Sequence, residues 1–225
     1  MIIGILKKID QWLQRFLLPA PVVPPEYSVK RETIEKYAKD NSIHIFVETG
    51  TYLGETIDTL KNNFKKLISI ELDKELYQKA KIRFKNLPHI SILQGDSGIM
   101  LDSVIEPIHE PILFWLDGHW SGGVTARGEG NTPILKELEI ISNHPIKNHI
   151  ILIDDARCFN GENGYPTIKQ LFDFIRRKND QINFLVENDI IRITPETKTT
   201  IPYREPLRFK IWQIYRKLKK LIKRN

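Results

Sequence analysis

Five short apolar runs alternate with segments of helical period along this chain, and the series closes on two strands with no helix between them. The runs, rich in β-branched residues, occupy 43–48, 67–71, 90–94, 112–116 and 149–153. Helix-period stretches lie between and after them at about 55–64, 73–86, 97–106, 132–143 and 166–178. Strands joined through helices run parallel, and right-handed crossovers put those helices on both faces of the sheet. Thr132-Pro133 and Tyr165-Pro166 set proline where a first helical turn tolerates it. The last two runs, 182–187 and 190–194, are separated only by Asn188-Asp189, a polar pair suited to a tight antiparallel turn. The expected fold is α/β: a doubly wound, mainly parallel, seven-stranded sheet with a terminal antiparallel hairpin.

Charge divides the chain into a body and two ends. Of the net +6, residues 207–225 contribute +8 without one acid, and residues 1–25 contribute +2, which leaves 26–206 at −4. A mildly acidic body argues against nucleic acid as a partner. Residues 1–18 carry an apolar stripe of helical period, and PAPVVPP at 19–25 reads as a stiff linker. The cations there follow the first apolar residues, which is the wrong order for a secretory signal. Cys158 is the lone cysteine and cannot form an internal disulfide, so the expected setting is cytoplasmic. The expected organisation is an N-terminal amphipathic helix with its linker over 1–25, a catalytic domain over 26–206 and a basic amphipathic helix over 207–225. In that last helix Leu207, Ile211, Ile214, Tyr215, Leu218, Leu221 and Ile222 share one face. It suits an anionic membrane surface, which would make the protein peripheral at the inner membrane face. It also suits packing on the domain or on a second subunit, which would make a homo-oligomer through the terminal helices.

The chemistry-bearing residues fall at the ends of the predicted strands. FVETGTYLGET places Glu48, Gly50 and Gly54 at the exit of the first, where glycine permits a tight turn and a helix N-terminus offers free N–H groups. Glu71 ends the second strand 21 residues after Gly50, where an acid can accept hydrogen bonds from a ribose diol. Asp96, in LQGDSG, follows the third. Each acid alone reads as a helix cap or a loop charge; three at successive strand ends point to a nucleoside ligand.

With these residues the chain, over about 43–195, resembles the class I S-adenosylmethionine (SAM)-dependent methyltransferases. Glu48-x-Gly50-x-x-x-Gly54 is similar to the acidic, glycine-rich motif that holds the methionine part of SAM, with Tyr52 where many members have a glycine. The resemblance implies a ribose contact for Glu71 and an adenine contact for Asp96.

Asp117 ends the fourth strand in ILFWLDGH, and Asp154 and Asp155 end the fifth in IILIDDA. Neighbouring strands would converge three carboxylates, which a hard divalent cation could neutralise. This resembles the Mg²⁺-dependent O-methyltransferases of the macrocin (sugar) type. The resemblance implies a cation held by Asp117, Asp154 and Asp155 that aims a small-molecule or sugar hydroxyl at the sulfonium methyl. Catechol-type relatives place a lysine base three residues after the first metal acid; here Trp120 stands there, and His119 is the candidate base. The glycine-rich loop around it could close on the acceptor, with Trp120 and Arg127 in reach.

Two rival readings remain. Thr49-Gly50-x-x-x-Gly54 with Tyr165-x-x-x-Lys169 resembles the NAD(P)-dependent short-chain dehydrogenases, although Pro166 marks a helix start where that pair should lie within a helix. A non-catalytic membrane adaptor is supported by the terminal segments alone.

Overall fold

The structure is a computed structural model that describes residues 26–118 and 132–196. The N-terminal segment, the basic C-terminal segment, and His119, Trp120 and Arg127 lie outside the described residues. The strands are β1 (Ile45–Thr49), β2 (Lys66–Glu71), β3 (Ile90–Gln94), β4 (Ile112–Leu116), β5 (Ile150–Ile153), β6 (Ile182–Glu187) and β7 (Ile190–Pro195). They form one sheet in the order β3-β2-β1-β4-β5-β7-β6. The first five pair in parallel, and β7 inserts antiparallel between β5 and β6. Asn188 and Asp189 both adopt positive φ, 51° and 60°. That conformation makes a two-residue hairpin follow the strand twist.

The helices are α1 (Tyr27–Asp40), α2 (Glu55–Leu60), α3 (Lys74–Phe84), α4 (Ser97–Ile105), α5 (Ile134–Asn143) and α6 (Ile168–Lys178). α1 is not among the segments expected from periodicity. Its buried residues are only Thr33, Ile34 and Ala38, too thin a stripe to stand out from a polar stretch. β1, β4 and β5 are buried at every residue, as central parallel strands covered on both faces must be. One core layer joins Phe46, Leu67, Leu113, Trp115 and Leu152 of the sheet to Ile34 of α1, Ile57 and Leu60 of α2, and Phe84 of α3. The chain winds outward from β1 to β3, then crosses back to β4 on the other side of β1. At that switch point the helices leave in opposite directions and a crevice opens beyond the carboxyl ends of the strands.

Candidate active site at the carboxyl edge of the sheet

All the candidate site residues within the described chain lie on this edge. At the exit of β1, Gly50 has φ +87°, and its N–H donates to the Ile70 carbonyl at 2.9 Å. A Cβ there would lie 2.6 Å from the Asp117 carbonyl oxygen, so only glycine lets the exits of β1 and β4 pass. Gly54 caps α2 at φ +77°, where a Cβ would meet the Phe84 ring at 2.8 Å. Tyr52 takes the place of a third glycine with φ +48°, a conformation costing an ordinary residue about 1–2 kcal/mol. Its N–H is held by Glu71 Oε2 at 2.8 Å, while Glu71 Oε1 accepts from Asp73 N–H at 2.9 Å. Burial raises the Glu71 pKa, and those backbone N–H groups oppose the rise.

Glu48 is fully enclosed and accepts from the Ser69 hydroxyl at 2.6 Å, with Thr56 also donating to it. Burial above all pushes its pKa up to about 8, and the charges of Asp117 and Glu71 add to the push. Asp96 caps α4: its Oδ1 accepts from Gly98 N–H at 2.8 Å. Glu48, Glu71 and Asp96 therefore line three neighbouring strand exits with carboxyl oxygens. Such a row suits a ligand presenting cations and hydrogen-bond donors.

Asp117, Asp154 and Asp155 stand at the ends of the paired strands β4 and β5, as adjacency requires. Asp154 is 2% exposed; its Oδ1 accepts from Asp155 N–H at 2.8 Å, and its Oδ2 is ion-paired with Lys30 of α1. Burial pushes the Asp154 carboxyl up to about 7; Asp117 and Asp155 reinforce the shift and Lys30 opposes it. Asp155 sits in the left-handed region at φ 55° and pairs with Arg157 at 2.7 Å, which also pairs with Asp189. Among the described residues no group of three or more His, Cys, Asp or Glu side chains is arranged to hold a metal ion. The expected Mg²⁺ set does not fit: two of its three carboxylates already carry cations of the chain, whereas Mg²⁺ demands near-octahedral access to oxygen.

No protein-family model matches the chain, and no curated protein matches its sequence. Solved structures do match its fold. An O-methyltransferase from Bacillus cereus in complex with SAH gives a TM-score of 0.56 at 13% identity, over 85% of this chain and 90% of that one. The SAH-bound methyltransferase PaMTH1 from Podospora anserina gives 0.54 at 12% identity, over 86% and 96%. The O-methyltransferase TomG from Streptomyces achromogenes, in complex with SAM, gives 0.53 at 14% identity, over 85% and 89%.

The chain has the Rossmann-like methyltransferase fold.

Within that fold the dehydrogenase pair comes apart. Tyr165 precedes α6, while Lys169 lies inside it and pairs with Asp173 at 2.6 Å on the exposed face. Burial raises the Tyr165 pKa, the opposite of what a tyrosine proton donor to a carbonyl requires. Two residues that the sequence reading did not single out enter the site. Lys30 left no signal, being one cation in a polar stretch whose partner is 124 residues away. Glu137 did leave one: Ile134, Glu137, Leu138 and Ile141 form the buried stripe of α5, with a carboxyl at a core position. Its Oε1 accepts from the Ser97 hydroxyl at 2.6 Å, and burial pushes its pKa up to about 7. Glu137 and Asp154 both line a narrow cleft beside Gly118 and Tyr165 at the ends of β4 and β5.

Proposed function

We propose that this chain is a SAM-dependent methyltransferase whose acceptor is a hydroxyl of a small molecule or sugar. The observation that carries the reading is the row of acidic acceptors at the exits of β1, β2 and β3. Besides a carboxylate, SAM presents an ammonium, a sulfonium, a ribose diol and an adenine amine, and each of these four is a cation or a hydrogen-bond donor. Glu71 is held on two backbone N–H groups with lone pairs left for the diol. Asp96 is the candidate for the adenine amine and Glu48 for the methionine end, beside Gly50 and Gly54. When bound, SAM supplies an electrophilic methyl group on sulfur. Asp117 and Asp154 border the acceptor side, where Lys30 holds Asp154 in an ion pair. His119 remains the candidate base of the adjoining loop, and the sugar-type acceptor rests on the resemblance. The reading carries no Mg²⁺ assistance, because Lys30 and Arg157 already pair with Asp154 and Asp155.

Calorimetry on the full chain with SAM, SAH and NADPH tests the reading. SAM and SAH are expected to bind and NADPH not to. Glu71→Ala is expected to weaken SAM by about 10- to 100-fold, the worth of hydrogen bonds to a charged group. Binding of NADPH without SAM, or unaltered SAM affinity in Glu71→Ala, overturns it.

We further propose that residues 207–225 attach the enzyme to anionic lipid, a reading supported by eight cations without an acid beside one apolar face. Contact through the terminal segments with a second subunit is the competing role. No helix among the described residues is long and apolar enough to cross a membrane.

A further inference from the structure

The ion pair between Lys30 and Asp154 stands where the resemblance asks for a metal. Lys30 reaches Asp154 from α1, a helix outside the βαβ series, and its side chain is 20% exposed against 1% for its partner's. Of the charges acting on Asp154, Asp117 and Asp155 disfavour its carboxylate and Lys30 favours it. Asp117 and Asp155 act on Lys30 as well, at longer range than its ion pair with Asp154. Arg157 holds Asp155 from the other side and is tied in turn to Asp189. A divalent ion entering here would have to displace an ammonium from a buried carboxylate and then sit a few ångströms from it, like charge against like.

We propose that Lys30 is the built-in cation of the acceptor side, taking the place of the divalent ion and leaving Asp154 closed to metal while it is present. The charge beside the reacting oxygen then comes from a fixed side chain that needs no free ion. Lys30 is a positioning residue for Asp154 and for the acceptor. The part of the inference that concerns methyl transfer rests on the proposed function; the part that concerns cation binding does not.

The test is Mn²⁺ uptake by the full chain, followed through the electron paramagnetic resonance signal of the free ion. The wild type and Asp154→Asn are expected to titrate alike up to about 1 mM, the weak end of protein sites for hard cations. Lys30→Met keeps most of the side chain's apolar stem and removes its charge. It is expected to take up one additional equivalent at least tenfold more tightly, and Lys30→Met with Asp154→Asn to lose it again. A wild-type site that Asp154→Asn abolishes overturns the proposal, and so does a folded Lys30→Met protein that gains none. Should Lys30→Met not fold, Lys30→Gln replaces it, and the comparison of wild type with Asp154→Asn needs no Lys30 variant. Failure of SAM to bind in calorimetry would remove the methyltransferase reading and leave the Mn²⁺ result standing.

Discussion

Acid should weaken this domain through one pair of histidines far from the candidate site. His149 and His144 are each 5% exposed. Ile112 N–H donates to His149 Nδ1 at 3.0 Å, so His149 carries its proton on Nε2, which lies 2.9 Å from His144 Nδ1. His144 in turn donates from Nε2 to the Ile105 carbonyl at 3.1 Å. Every ring nitrogen is used once, and a further proton on His149 would land on the atom that must accept from Ile112. Burial first, then the charges of His144 and Lys147, pull His149 down to about 4. An imidazole in the unfolded chain titrates near 6.5, so the unfolded state takes up the proton first as pH falls. The stabilisation is therefore present above about pH 6.5 and drains away as pH falls towards 4, amounting in full to about 3 kcal/mol. Roughly 2 kcal/mol of it should be gone by pH 5.

His149→Gln isolates this contribution, because an amide can accept and donate but does not titrate. Urea unfolding of both proteins at pH 7.5 and pH 5 should show the wild type losing about 2 kcal/mol relative to the variant. In melting temperature that is about 4–8 °C for a domain of this size. A stability gap between the two proteins that does not move with pH would refute the reasoning.

The buried carboxyl of Glu137 should give a trend of the opposite sign. Its raised pKa means the neutral form is the one the fold tolerates, so its favourable contribution is present at low pH and lost as pH rises through about 7. Glu137→Gln is expected to be more stable than the wild type, by a margin that grows by about 1 kcal/mol between pH 6 and pH 8 in denaturant titrations. For the basic segment, sedimentation with anionic and with neutral liposomes is the measurement. Binding to anionic vesicles only, lost when the chain ends at Arg204, is expected, whereas equal binding to both lipids would leave a packing role.

The parts of this protein legible in its sequence are those governed by local rules. Alternation of strand and helix periods determined the five parallel strands, because a burial pattern repeats along the very element it creates. Two polar residues between 182–187 and 190–194 determined the hairpin, because no helix fits there and only a tight turn can join the runs. Strand ends could be read as site positions for the same reason: in a parallel sheet every carboxyl end reaches one edge. Tertiary structure decided what those side chains do there. Lys30 meets Asp154 across 124 residues, so no local periodicity could announce the pair. Asp155 holds Arg157, because the chain after β5 turns back through a left-handed residue towards Asp189. Glu48, Glu137 and Asp154 carry raised pKa values first of all through removal from water, with neighbouring carboxylates adding to the shift. Burial belongs to the packed molecule: a carboxyl's chemistry follows from how many neighbours exclude solvent, and those neighbours come from distant parts of the chain.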